Sequence, residues 1–239
     1  DHINGACSGE GWALQTDGLY DSNARPVANS LVILTAAYRA TQDARYLRSA
    51  EAILAFADPS NQPFINGPNG QSGGEEAAIK PWLTNMYLRA LAYHLEMRAE
   101  YGLEDTYDSS ADFLHYADWL HDYAWIELDP LDAVGPRAAY PYLWFFDDRQ
   151  GDPNDEWSLG NNVPGISNWL LLGADAQAYA YHLSDDPVYL ERAAALFRTG
   201  AHDPFYPGDN SLYTETKQTI NSLIYGNIFL YMDAAQPEQ

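Results

Sequence analysis

Two stretches of the chain, "AYRATQDARYLRSA" at residues 37 to 50 and "AYHLSDDPVYLERA" at residues 180 to 193, share an Ala-Tyr pair, an acidic turn, a Tyr-Leu pair, an arginine and a closing alanine. Apolar residues on both sides recur at three- and four-residue spacing, so each stretch reads as the bend of an antiparallel helical hairpin. Asp43 and Asp186 suit the N-cap of the second helix, and Tyr46 and Tyr189 can pack back onto the first. Another hairpin runs from "KPWLTNMYLRALAYHLEMRAEY" through "GLED" into "TYDSSADFLHYADWLHDYAWIEL", with Tyr107 as its version of the turn tyrosine. A last helix, "TETKQTINSLIYGNIFLYMDA", has no partner in the sequence.

The connections divide into two kinds. Turns inside hairpins are short, whereas the hairpins are joined by "DPSNQPFINGPNGQSGGEEAAI", "DPLDAVGPRAAYPYLWFFDDRQGDPNDEWSLGNNV" and "AHDPFYPGDNS". Antiparallel topology sets the short turns at one end of the helices and the long connections at the other, where function is expected. The pattern predicts an all-α chain of about seven main helices over residues 1–239, one domain, forming an incomplete α/α toroid. A stacked α-solenoid is the alternative, but its repeats have shorter and more regular connections. The abrupt start at Asp1, with no signal peptide, fits a mature protein or a fragment of a larger enzyme.

Charge narrows the partners. The formal net charge is −22, and arginines outnumber lysines ten to two, which opposes nucleic-acid or anionic-membrane binding. No apolar run is long enough to span a bilayer. So acidic a surface fits a secreted, extracellular or periplasmic protein in salty surroundings. Cys7 is the only cysteine, so no internal disulfide or CxxC-type metal site is expected.

Four helices start on the long-connection side, at "RPVANSL", "KPWLTNM", "VPGISNWL" and "KQTINSL". Each carries an early asparagine: Asn29, Asn85, Asn168 and Asn221. Both lysines of the chain, Lys80 and Lys217, hold the slot just before two of these starts, and Arg25 holds it in the first. A cation beside a helix N-terminus is disfavoured by roughly 0.3–1 kcal/mol, so the coincidence asks for a cause. Cations and helix N-termini around one rim attract anions, and uronate or sulfated sugars fit. Each asparagine taken alone also fits a bond back to a loop carbonyl.

Aromatic residues support a sugar ligand. Trp144 lies in "YPYLWFF", Trp157 follows it, and Trp82 stands at the second helix start. These faces could form a glycan groove, or "YPYLWFF" could be a buried plug beneath the loop. For β-elimination at a uronate, Asn85 and Lys80 would neutralise the sugar carboxylate, with Tyr87 or His2 as base. For hydrolysis a carboxylate pair is needed, and Asp147 is one candidate among many acids. His94 and His182 read as core or interface residues, while His115 and His121 look peripheral. No metal or other cofactor is assigned. The acidic loop 147–156 offers hard oxygen donors that suit a structural Ca²⁺, although its spacing departs from an EF-hand.

On "HINGACSGEGWALQTDGLYDSN", "YRATQDARYLRSA", "YHLSDDPVYLERA" and "KPWLTNMYLRALAYHLE", the chain resembles the α/α-toroid domains of carbohydrate-active enzymes. Within them it is most similar to exo-rhamnogalacturonan-lyase-like and ulvan-lyase-like polysaccharide lyases, and to six-hairpin glycosidases. The resemblance implies a lyase or hydrolase acting on an anionic polysaccharide or oligosaccharide. Arg25, Lys80, Trp82, Trp144, Trp157, Asn168, Lys217 and Asn221 are the candidate substrate-binding residues. The alternative is a non-catalytic toroid that binds glycan or serves as a scaffold beside further domains of the same parent protein.

Overall fold

The computed structural model describes residues 24–61, 78–79, 81–131, 135–140, 144–145 and 170–202. Six α-helices dominate: α1 Ala24–Thr41, α2 Ala44–Phe56, α3 Pro81–Glu100, α4 Ser109–Ala124, α5 Leu170–Ser184 and α6 Pro187–His202. Short strands accompany them: β1 Ala78–Ile79, β2 Ile126–Leu131, β3 Gly135–Ala139 and β4 Trp144–Phe145. The chain divides into two compact units, Asp1–Tyr116 with Phe145–Asp147, and Ala117–Trp144 with Asp148–Gln239. The unpartnered last helix expected from the sequence lies outside the described residues.

In the first unit α1 and α2 form the expected hairpin. α1 and α3 run parallel: Arg25 meets Trp82 at their starts, Thr35 meets His94 midway, and Arg39 meets Glu100 at their ends. Tyr101 closes the far end, donating to the Arg39 carbonyl at 3.2 Å and packing edge-on against Tyr38. Parallel first helices in successive hairpins are what a hairpin repeat requires. Leu31 and Leu34 of α1 and Leu88 and Leu91 of α3 are buried, each contributing about 1.5–3 kcal/mol by burial. The end of α3 is a Schellman turn: Leu103 N–H donates to the Arg98 carbonyl and Gly102 N–H to that of Ala99, with Gly102 at φ 63°.

The turns of the first and third hairpins repeat bond for bond. Thr41 Oγ1 donates to the Ala37 carbonyl and accepts from Asp43 N–H, as Ser184 Oγ does with Ala180 and Asp186. Gln42 and Asp185 take left-handed backbone at φ 52° and 56°. Asp43 then accepts from Arg45 N–H at 2.9 Å and Asp186 from Val188 N–H at 3.0 Å, capping the next helix. Tyr189 is buried, its hydroxyl donating to Asp118 of α4 at 3.0 Å, and Tyr46 is half-buried. Tyr107 does not follow them. Its turn is longer and α4 begins only at Ser109, so Tyr107 precedes the helix and stays 40% exposed.

A second correction concerns the expectation of an all-α chain. The helix read through "WIEL" stops at Ala124, and Ile126 opens an antiparallel β-hairpin. Ile126 pairs with Ala139, Glu127 with Ala138 and Leu128 with Arg137, and an irregularity follows before Leu131 meets Gly135. In the second unit this hairpin packs on α6, where Arg198 Nη1 donates to the Pro136 carbonyl at 2.9 Å. α5 is buried at every residue from Leu170 to Ala180, so it has no polar stripe. Gln177 lies within that run and donates to the Ala117 carbonyl and the Tyr140 hydroxyl.

Candidate functional site

Four of the residues singled out in the sequence gather in the first unit. The Arg25 guanidinium lies over the Trp82 ring, 4.9 Å from its centroid, so the starts of α1 and α3 are neighbours. Arg25 is exposed while Trp82 keeps 7% exposure, and the cation covers a face that a sugar ring would need. Asn85 stands one turn further along α3, 1% exposed, and neither end of its amide has a hydrogen-bond partner among the described residues. Its counterpart Asn29 on α1 is exposed. Tyr87 is 1% exposed and stacks edge-on against Tyr116 at 5.8 Å. Burial, with the Asp112 and Asp58 charges adding to it, holds the Tyr87 phenol well above its usual range. A phenol so placed is a poor general base.

Trp144 falls in β4. His2, Lys80, Asp147, Trp157, Asn168, Lys217 and Asn221 lie outside the described residues, as does the 147–156 loop. Among the described residues no group of His, Cys, Asp and Glu is arranged to hold a metal ion. No described helix is long and apolar enough to cross a membrane.

The second unit contains a cleft of about 930 Å³ that the sequence reading did not anticipate. One wall is a face of α6, where Val188, Glu191, Arg192, Ala195 and Arg198 follow at helical spacing. The β-hairpin supplies Glu127, Leu128 and the run Gly135 to Arg137, and His121 and Trp125 come from the end of α4 and the residue beyond it. His121 thus belongs to a cleft rather than to the periphery, and its ring lies 5.0 Å from that of Trp125. His182, expected in the core or at an interface, is exposed, whereas His94 is buried.

Charge distinguishes this cleft from the rest of the chain. Acidic residues outnumber Lys and Arg by 34 to 12 overall, yet three arginines line the cleft against Glu127 and Glu191. Arg192 is held in place: Nη1 bonds Asp118 at 2.7 Å and the guanidinium lies over the Tyr189 ring. Arg198 is placed differently. Its partner is the neutral Pro136 carbonyl, and among the described residues it has no ion pair. A Cβ at Gly135 would make ordinary van der Waals contact with the Arg198 Cζ at 3.6 Å, so backbone conformation rather than space is what asks for glycine. Gly135 has φ 93°, a conformation that favours glycine. A guanidinium with no ion pair among the described residues, in a cleft that a half-buried tryptophan also lines, can hold an anionic group while a ring packs on the indole.

The signal for this cleft was present in "VYLERAAALFR", whose basic and acidic residues fall on one helical face. The partner wall depends on a β-hairpin that helical periodicity does not reveal. No known protein family, characterised protein or solved structure matches the chain.

Proposed function

We propose that the chain is an α/α-toroid domain of a carbohydrate-active enzyme that acts on an anionic polysaccharide or oligosaccharide, with the cleft of the second unit as its recognition site. The observation that carries this reading is the Arg198 guanidinium, which has no ion pair among the described residues and lines the same cleft as Trp125 in a chain of net charge −22. A surface so acidic repels anions in general, and arginines lining one cleft offset that repulsion there. A cleft of about 930 Å³ is in the size range of small-molecule sites. The parallel first helices of the first two hairpins support a repeat of toroid type.

Titration calorimetry with uronate and sulfated oligosaccharides tests the reading. Arg198→Ala should weaken binding about tenfold or more, the worth of a charged hydrogen bond. Unchanged affinity in that variant would remove the cleft from the argument. Incubation with the corresponding polysaccharides, followed by reducing-end release and by the ultraviolet absorbance of unsaturated sugars, separates hydrolysis from elimination. Binding with neither product favours a non-catalytic glycan-binding domain. The burial of Asn85 and Tyr87 supports that second reading, because it withdraws two candidate groups for elimination.

A further inference from the structure

Resting on the reading that the cleft holds an anionic saccharide, we infer that the Gly135–Pro136 start of β3 is a positioning element for Arg198, and that the group the guanidinium selects is a sugar carboxylate rather than a sulfate ester.

Arg198 is held from two elements. Its stem leaves α6, and its head group meets the start of β3, where Nη1 donates to the Pro136 carbonyl at 2.9 Å. A Cβ built at Gly135 would meet Cζ, Nη1 and Nε at 3.6, 3.7 and 3.8 Å, so the Gly135 backbone flanks the same head group. A long side chain is thereby confined before a ligand arrives, and its lost rotamer freedom is a cost of folding rather than of binding.

The bond that confines Arg198 also decides which edge remains. A guanidinium carries five N–H donors in one plane, and Nε–H lies parallel to an N–H of Nη2, on the side away from Nη1. Nη1 is occupied by the Pro136 carbonyl, and among the described residues neither Nε nor Nη2 has a hydrogen bond. What is left is a planar fork of two donors. Because its anchor is a neutral carbonyl, the guanidinium keeps its full charge for a ligand. Arg192 differs, since Asp118 lies 2.7 Å from its Nη1 and offsets its charge.

A carboxylate fits that fork. Its two oxygens share the negative charge in one plane, and each accepts from one N–H. A sulfate ester spreads the same charge over three oxygens set at tetrahedral angles and is a much weaker base, so it accepts weaker hydrogen bonds. Densely sulfated chains are opposed further by Glu127 and Glu191, which line the same cleft.

The test is titration calorimetry on the full chain with three matched oligosaccharides. One bears a hexuronate, the second is the same chain after reduction of the carboxyl group to an alcohol, and the third bears a 6-sulfate on the corresponding hexose. The natural chain should bind the uronate about tenfold more tightly than either of the others. Arg198→Lys keeps the charge without the fork, and should lower uronate affinity about tenfold while leaving the sulfate within about threefold. Gly135→Ala puts a side chain at φ 93° and shifts the start of β3, so it should lower the uronate-to-sulfate ratio with the charge of the cleft unchanged. That ratio reports positioning, because partial unfolding reduces the bound amount of both ligands alike. A natural ratio near one, equal binding of the reduced chain, or a ratio that survives in both variants would overturn the inference. If both anionic ligands still bind and Arg198→Ala weakens both, the recognition reading stands without it. Absence of binding to all three removes both.

Discussion

His94 is fully buried on α3, with Nδ1 3.0 Å from Thr35 Oγ1, and it ties two parallel helices together through a group that titrates. Desolvation, with the Arg98 charge adding to it, lowers its pKa from 6.5 to about 4. The folded state therefore holds His94 neutral, while the unfolded chain takes up a proton as the pH falls below about 6.5. Stability attached to this residue is complete above that value and is lost on acidification toward pH 4. A shift of this size corresponds to at most about 3 kcal/mol. Urea unfolding across that interval should show the loss in the natural chain and a flatter profile in His94→Gln, which keeps a hydrogen-bonding side chain but does not titrate. Equal slopes in the two proteins would mean that other groups set the acid response. The burial of His94 was legible in the sequence because it lies well inside a helix with apolar neighbours. The burial of Asn85 was not, since a polar residue near a helix start reads equally as a cap, a ligand group or a core residue.

Among the elements, the hairpin turns were the most legible part of the chain. All their determinants lie within a few residues: a hydroxyl, a left-handed residue and a capping aspartate. The β2–β3 hairpin was illegible for the opposite reason. Its strands depend on a partner across the turn and on α6, and "AWIEL" taken alone continues a helical pattern. The left-handed residues give a direct test. Gln42 and Asp185 lack glycine's freedom at φ 52° and 56°. Glycine there should stabilise each hairpin, the backbone relief outweighing the added unfolded-state entropy by about 0.5–1 kcal/mol. Thermal melts of Gln42→Gly and Asp185→Gly would check it, and a fall in Tm for both would show that the side chains matter more than the backbone. The prediction applies to both turns because they share the hydroxyl and capping bonds, with the Arg45–Asp43 side-chain pair peculiar to the first.

For the molecule as a whole, charge sets two responses of opposite sign. A net charge of −22 repels itself, so added salt should raise the Tm by screening that repulsion. The same screening weakens attraction between Arg198 and an anionic ligand, so affinity should fall over the same range. Differential scanning fluorimetry and calorimetry in a salt series would separate the two. A rise in affinity with salt would mean that apolar contact on Trp125, rather than charge, dominates recognition. Composition made the first response legible without any structure. The second required the cleft, because arginines distributed along 137 to 198 reveal nothing of their convergence until α6 and the hairpin meet.

The matching turns at Thr41 to Asp43 and Ser184 to Asp186 have a consequence for how such a chain can change over generations. A bend specified by its own few residues is a transferable part. A gene segment coding for one hairpin can be copied, or exchanged for the other, and arrive with its corner already determined. Selection then has only the helix faces to refit, which is how a protein of this kind gains or loses hairpins while keeping its remaining ones intact.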